Sequence, residues 1–258
     1  MLGTAQNIYL VVLWIVLSLT CLVLLNCLWA PSRRRAHNDV IGWQLSILGT
    51  IYAVMIGFML YAVWANFQTA ETNVDKEANA LVNLFRTADG LPAAQRDAIH
   101  IAAANYANAV LNQEWATMDR DQVPHAGQQF IMQLWAVMTR TPVENQAQQV
   151  SLQQAMQELS TLTEHRRVRI LESRSKMSMI LWTVLVIGGV VTLASSCLIG
   201  SDNIALHFSL IMALSLLISM ALIAIGDMDR PFQGTVHVNP YAFVRSQQTM
   251  LSPTTVSQ

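Results

Sequence analysis

The sequence has little charge. Only 12% of its residues are Asp, Glu, Lys or Arg, and 53% are hydrophobic, whereas ordinary soluble domains are roughly 25% charged. This composition excludes an ordinary soluble domain. The formal net charge is -1, so the chain has neither the basic excess of a nucleic-acid-binding protein nor a strongly acidic tail. We therefore expect a membrane protein with no nucleic-acid partner.

Cysteine and catalytic motifs are also scarce. The three cysteines, Cys21, Cys27 and Cys197, all lie in apolar segments, which favours small hydrophobic side chains over a disulfide framework or a zinc site. The sequence has no phosphate-binding Gly-rich loop, no His-Glu-x-x-His motif and no Gly-x-Ser-x-Gly turn. These absences predict a protein that is not an enzyme and that uses no cofactor.

The sequence does contain long uncharged stretches. At a rise of about 1.5 Å per residue, a helix needs about 20 apolar residues to cross the hydrocarbon core of a bilayer. Four stretches satisfy this, at residues 8–30, 40–65, 177–200 and 204–226. Residues 1–7 contain no Lys or Arg, so we expect the first stretch to be a retained helix and not a signal peptide. None of the four contains Asp, Glu, Lys or Arg, which disfavours a coupled transporter.

The predicted fold class is an all-α integral membrane protein with long helical soluble extensions of the second and third spans. The second stretch leads into polar residues up to Arg86 without Pro, which predicts one helix that leaves the membrane. The apolar spacing of Leu152, Met156, Leu159 and Leu162 predicts a long amphipathic helix that runs through Lys176 into the third span. The predicted regions are a hairpin at 1–65, a soluble helical region at 66–176, a second hairpin at 177–226 and an extended tail at 227–258.

Two residue patterns stand out in the second span. Gly42, Gly49 and Gly57 share one helix face, where small residues let another helix approach closely, and we expect this packing to occur between subunits. A second stripe consists of Thr50, Val54 and Phe58 at intervals of four residues. Taken alone, this stripe is typical of core or lipid-facing positions.

An acidic pair follows the fourth span. Asp227 and Asp229 could hold a cation together with backbone carbonyls. The alternative is that they end the fourth helix and pair with Arg230.

Lys and Arg near the span ends bear on membrane orientation. Arg33, Arg34 and Arg35 lie on one side. The other side has seven such residues, namely Lys76, Arg166, Arg167, Arg169, Arg174, Lys176 and Arg230. The larger number favours a soluble region and both termini in the cytoplasm, although the compact cluster at Arg33–Arg35 argues for the opposite orientation.

Short motifs carry a family resemblance. In chain order they are Arg-Ala-His37-Asn38-Asp39, Gly57-Phe58 with Trp64, Glu77-Ala-Asn79, Arg86, Glu114-Trp115 and Asp229-Arg230-Pro231-Phe232-x-Gly234. Their order and their distances from the spans resemble the bacterial four-helix membrane proteins called bestrophin-like, from about residue 30 to residue 243.

The resemblance extends to the bestrophins, which are pentameric channels mainly for chloride, although some bacterial relatives pass cations. It implies a homopentameric ion channel of the bacterial inner membrane that conducts passively, anions in preference to cations, and whose partners are the lipid bilayer and inorganic ions. In that channel Thr50, Val54 and Phe58 of the second span would form an apolar constriction. Two features depart from the bestrophin pattern. The acidic cluster that binds calcium in bestrophins is reduced here to Asp227 and Asp229, and only Phe58 of the three constriction residues is aromatic. The competing interpretation is a non-conducting scaffold or sensor.

Overall fold

The computed structural model describes the backbone of residues 4–252 and the side chains from Asn7 onward. Within this range the chain forms helices and no strand. The α-helices are α1 (Thr4–Leu28), α2 (Pro31–Arg34), α3 (Asn38–Thr87), α4 (Ala93–Ala109), α5 (Trp115–Asp119), α6 (Gln128–Thr139), α7 (Gln146–Glu172), α8 (Met179–Cys197), α9 (Ile204–Met228) and α10 (Tyr241–Leu251). A π-helical turn at Val110–Glu114 joins α4 to α5.

Four of these helices, α1, α3, α8 and α9, are long and apolar enough to cross a membrane. They occupy the four uncharged stretches of the sequence, and the all-helical fold class is confirmed. Helix α3 is a single helix of 50 residues, as expected from the absence of a break after the second span.

The chain divides into two compact units. The membrane unit contains the residues up to Asn66 together with Lys176–Asp229, and the soluble unit contains Phe67–Ser175 and the chain from Arg230 onward. Helix α3 therefore gives residues 38–66 to the membrane unit and residues 67–87 to the soluble unit.

Three small clusters form the core of the membrane unit. Their buried members are Leu22, Cys197 and Ile211 in the first, Tyr52, Leu193 and Ile218 in the second, and Val63, Leu185 and Ile225 in the third. Ser18 adds a polar tie between α1 and α9, because its hydroxyl donates to the hydroxyl of Ser215 at 2.9 Å. Hydrogen bonds of this kind satisfy polar groups that lipid cannot.

The soluble unit has one continuous core. Residues of α3 to α7 and α10 build it, including Val74, Leu81, Leu84, Ile99, Leu134, Leu159 and Phe243, all of them almost fully buried. Asn145 begins α7 by accepting a hydrogen bond from the amide of Gln148 at 2.9 Å, an N-cap that comes three residues after Pro142.

The approach to the third span differs from the prediction. Helix α7 ends at Glu172 and α8 begins at Met179, so the extension is a separate helix. Ser178 explains the new start, because its side chain accepts a hydrogen bond from the amide of Ile180 at 3.3 Å. An N-cap serine can begin a helix where no Pro or Gly marks the boundary in the sequence.

The prediction of an extended tail was wrong for residues 241–251. These residues form α10, and Val238, Ala242 and Phe243 are buried in the core of the soluble unit. Pro240 precedes the helix and does not interrupt it, because proline fits the start of a helix. Residues 253–258 lie outside the described part of the chain.

Candidate functional site

The predicted constriction stripe lies on an uncovered face of α3. Val54 is 53% exposed and Phe58 is 69% exposed, and Thr50 is also exposed. The hydroxyl of Thr50 donates to the carbonyl of Ser46 at 2.8 Å. Because the hydroxyl proton is used within the helix, the stripe as a whole is apolar.

The opposite face of α3 packs against the other membrane helices. Tyr52 is buried and donates a hydrogen bond to the carbonyl of Leu185 at 3.1 Å. Its ring lies so close to α8 that a Cβ atom at Gly188 would come within 2.7 Å of it. At 100° per residue, Tyr52 points about 160° away from Val54. The contact with α8 therefore turns the stripe away from the rest of the chain.

The three glycines of α3 make no close contact within the chain. A Cβ atom at Gly42, Gly49 or Gly57 would meet no atom within 4 Å. This glycine face is open in one subunit, so the predicted packing between subunits stays a prediction.

The first motif links two loops of the membrane unit. A 3-10 turn at Arg35–His37 leads directly into α3. The side-chain amide of Asn38 donates to the carbonyl of Gly200 and accepts from its N–H, both at 2.9 Å. The backbone approaches so closely that a Cβ atom at Gly200 would lie 2.4 Å from the carbonyl oxygen of Pro31.

Arg34 is completely buried beside this contact. Its guanidinium donates to the carbonyl of Cys197 at 2.7 Å and to the side-chain oxygen of Asn26. The negative end of the α8 dipole compensates part of the charge. His37 and Asp39 of the same motif are exposed.

The acidic pair after the fourth span accepts hydrogen bonds within the membrane unit. The side chain of Asn7 donates to Asp227 at 3.3 Å. Asp229 accepts from the amide of Met177 at 2.7 Å and lies 3.4 Å from the indole nitrogen of Trp182. Within the described residues no group of three or more His, Cys, Asp and Glu side chains is placed to hold a metal ion.

Two other motifs meet in the core of the soluble unit. Glu77 of α3 and Glu114 of the π-helical turn are both fully buried, and Arg169 of α7 lies between them. Arg169 donates to Glu77 from Nε at 2.6 Å and from Nη2 at 3.0 Å, and Nη2 is also 2.8 Å from Glu114. Arg166 completes the cluster with a bond of 2.8 Å to Glu114. The four charges cancel.

Two neutral groups also donate hydrogen bonds to the carboxylates of Glu77 and Glu114. The hydroxyl of Tyr106 donates to Glu77, and the amide of Gly127 donates to Glu114 at 2.7 Å. Gly127 has to be small here, because a Cβ atom would lie 2.9 Å from the ring of Tyr106. Buried ion pairs persist when the remaining polar atoms are also satisfied. The cluster joins α3, α4, α7 and the loop before α6.

The cluster controls the protonation of its own members. Burial opposes the ionisation of Glu114, but Arg169 and Arg166 together outweigh it and lower its pKa to about 2. Burial, followed by the charge of Glu77, raises the pKa of Tyr106 well above its usual value. At neutral pH, Glu114 is therefore ionised and Tyr106 is a hydrogen-bond donor.

Aromatic rings cover Arg169. The guanidinium carbon lies 5.7 Å from the ring centre of Trp115 and 6.0 Å from that of Phe243, within the range of cation–π attraction. Trp115 also meets Phe232 edge to face, at 5.9 Å between ring centres. Phe232 of the motif at residues 229–234 therefore lies at the same site as the Glu114-Trp115 motif.

The rest of that motif shapes the turn before α10. Pro231 is buried and Arg230 is exposed. Gly234 has φ of 82°, a left-handed conformation that favours glycine.

Sequence reasoning missed Arg166, Arg169, Tyr106 and Phe243 as members of this site. A signal for the arginines exists in the spacing of α7, whose buried face contains Ala155, Leu159, Leu162, Arg166, Arg169 and Ser173. Intervals of four and three residues put all six on one helix face. Arginines that continue an apolar stripe in this way indicate buried charges with partners.

Asn79 and Arg86 lie elsewhere in the soluble unit. They line a groove between α3 and α10 and do not touch the buried cluster. The motif residues therefore divide between the membrane loops, the buried cluster and this groove.

These features define a class: an all-helical membrane protein with four spans and a helical soluble unit built around a buried ion-pair cluster. The chain belongs to the Bestrophin-like family, whose domain model matches residues 12–243. No curated protein sequence matches the chain.

Solved structures share the fold. A crystal structure of a bacterial bestrophin homologue from Klebsiella pneumoniae, a single-substitution variant, has a TM-score of 0.69 at 13% identity, covering 96% of this chain and 100% of that chain. A second variant of that homologue also gives 0.69 at 13% identity, with 95% and 98% covered. A structure described as a membrane protein gives 0.66 at 14% identity, with 95% and 97% covered. At these identities the likeness concerns the fold.

Proposed function

We propose that the protein is a homo-oligomeric ion channel that conducts passively, anions in preference to cations. The observation that carries this proposal is the apolar stripe of Thr50, Val54 and Phe58, which the chain leaves uncovered. Surrounded by the same helix from other subunits, the stripe forms a narrow apolar pore that opens by wetting. Membership of the Bestrophin-like family supports the same conclusion.

The four spans contain no Asp, Glu, Lys or Arg. A proton relay or coupled transporter normally needs such residues inside the membrane. Their absence therefore favours passive conduction. The preference for anions comes from the similarity to bestrophins.

The proposed assembly is a pentamer in the bacterial inner membrane, with the soluble unit in the cytoplasm. In it, the Gly42, Gly49 and Gly57 face packs against the neighbouring subunit. The second halves of the α3 helices extend the pore into a vestibule. The buried cluster around Arg169 gives these halves a fixed place in the soluble unit.

A non-conducting scaffold or sensor is the second candidate. The same uncovered apolar stripe favours it, because the stripe could equally be buried in a closed contact between subunits. Ion flux separates the two functions.

The test is flux through the purified oligomer in liposomes under chloride and potassium gradients. Phe58→Ala should raise chloride flux severalfold by widening the constriction. Val54→Thr should also raise it, since a hydroxyl at nearly constant volume makes the pore easier to wet.

Leu217→Ala is the matched control, because Leu217 is 66% exposed on α9 and lies outside the stripe. Its flux should equal that of the unaltered protein. Absence of flux from correctly assembled protein under every gradient would instead favour the scaffold.

A further inference from the structure

A polar groove lies between two helices of the soluble unit. Its volume is about 390 Å³, within the range of small-molecule sites. One wall is a face of α3 with Asn79, Val82, Asn83 and Arg86, and the other is a face of α10 with Arg245, Ser246 and Thr249.

The charge of the groove has one sign. Arg86 and Arg245 stand on opposite walls, and no carboxylate is among the lining residues. In the part of the chain that the structure describes, neither guanidinium has an ion-pair or hydrogen-bond partner. The groove therefore presents two unneutralised cationic forks, a geometry that matches phosphate oxygens.

The other lining groups extend this pattern. Asn79 can donate from its side-chain amide, the amide of Asn83 already donates to a carboxylate oxygen of Glu158 at 3.5 Å, and only Val82 is apolar. The hydroxyl protons of Ser246 and Thr249 are already donated to backbone carbonyls. Their oxygens are left as acceptors, which suits a ligand that also carries O–H groups.

The two walls are held in a fixed relation. Ser246 donates to the carbonyl of Ala78 on α3 at 3.2 Å. Ala242 and Phe243 of α10 are buried in the core. Because these contacts hold the two helix backbones in place, little ordering of the groove walls is needed when a ligand enters.

We propose that this groove binds a small phosphate monoester with hydroxyl groups, either free or as the headgroup of a lipid. Arg86 and Arg245 hold the phosphate from both sides, Asn79 donates a further hydrogen bond, and Ser246 and Thr249 accept from the hydroxyls. The site gives a role to Asn79 and Arg86, which the buried cluster does not contain. The proposal concerns binding and does not depend on whether the protein conducts.

The experiment is calorimetric titration of the full-length oligomer in detergent with glycerol 3-phosphate. Arg86→Gln and Arg245→Gln should each weaken binding at least about tenfold, because each removes a charge-assisted contact to phosphate. The control is Arg140→Gln, since Arg140 is an exposed arginine at the end of α6. It should bind like the unaltered protein.

Two further probes identify the source of the phosphate. Octanoyl lysophosphatidic acid, which keeps a free hydroxyl beside its phosphate monoester, and octanoyl lysophosphatidylcholine, whose phosphate is a diester, are titrated in the same way. If lysophosphatidic acid binds and loses its binding in both arginine variants, while glycerol 3-phosphate and lysophosphatidylcholine do not bind, the groove is assigned to a lipid headgroup. Binding of glycerol 3-phosphate assigns it to a soluble ester.

Three results would overturn the proposal. The first is that no phosphate probe binds, and the second is that the arginine variants bind as well as the control. The third is that a variant with both Arg86→Gln and Arg245→Gln changes its subunit number while its phosphate binding is unaltered. That outcome would place a second copy of the chain in the groove.

Discussion

The two halves of α3 differ in how completely the chain covers them. Residues 67–87 are buried on several sides, with Val74, Glu77, Leu81 and Leu84 almost inaccessible. Residues 38–66 are packed mainly through Tyr52 and Val63, and Phe58 stays 69% exposed. The chain itself covers residues 67–87, whereas residues 38–66 leave a surface that lipid or other subunits can cover. The halves should therefore respond differently to substitution.

The largest expected effect is in the soluble half. Arg169→Leu leaves Glu77 and Glu114 buried without their shared counter-ion, which should cost about 3–5 kcal/mol of stability. Thermal or denaturant unfolding of the purified protein measures this loss.

Arg167→Leu is the control, because Arg167 is the exposed neighbour on the same helix. Its stability should change by less than about 0.5 kcal/mol. Equal losses in the two variants would mean that the buried cluster does not hold the soluble unit together.

A smaller effect, on the assembly of subunits, is expected from a substitution in residues 38–66. A Cβ atom at Gly49 would meet nothing within 4 Å inside its own chain, so the fold should tolerate Gly49→Leu. If the glycine face packs between subunits, the added side chain should overpack that contact by roughly 1–3 kcal/mol. Native mass spectrometry should then show smaller assemblies.

Gly188→Leu provides the contrast. A Cβ atom there would lie 2.7 Å from the ring of Tyr52, so this variant should lose thermal stability. An unchanged subunit number in Gly49→Leu would remove the glycine face from the interface.

The smallest effect concerns Glu172, near the end of α7. Burial raises its pKa from 4.5 to about 7, and its Oε2 has no hydrogen-bond partner among the described residues. The folded state therefore holds a proton that the unfolded state releases between these pH values. Stability from this group is complete below pH 4.5 and is lost as the pH rises through about 7.

Glu172→Gln should remove this pH dependence. Its midpoint of thermal unfolding should lie above that of the unaltered protein at pH 8, and the difference should shrink by pH 5. The control Glu164→Gln changes an exposed carboxylate on the same helix. A constant difference across the range would show that Glu172 does not titrate there.

The sequence predicted features that depend on composition over many residues. The four spans follow from uncharged runs, and the continuity of α3 follows from the lack of a break after residue 65. Short-range features were harder to predict. Ser178 starts α8 with one hydrogen bond, and α10 is only 11 residues long, so its pattern is brief.

The sequence predicted only individual positions of the buried cluster. The motifs indicated Glu77, Glu114 and Trp115, but they did not show which residues these side chains contact. Arg166 and Arg169 had been counted as charges near the membrane, whereas their spacing on α7 makes them part of its buried face. The π-helical turn at Val110–Glu114 has no sequence signal that we recognise, yet Glu114 and Trp115 lie at its end.

The most direct test of the central claim is to ask whether water reaches the stripe. Cys21, Cys27 and Cys197 are replaced by Ala, and Phe58→Cys is introduced. Single-channel currents are then recorded before and after a charged, membrane-impermeant thiol reagent. Leu217→Cys is the control, because Leu217 is an exposed position on α9 outside the stripe.

If α3 lines the pore, the reagent should change the current through the Phe58→Cys channel and leave the current through the Leu217→Cys channel unaffected. Modification of Phe58→Cys with no change in current, or no current in any assembled variant, would contradict a pore lined by α3.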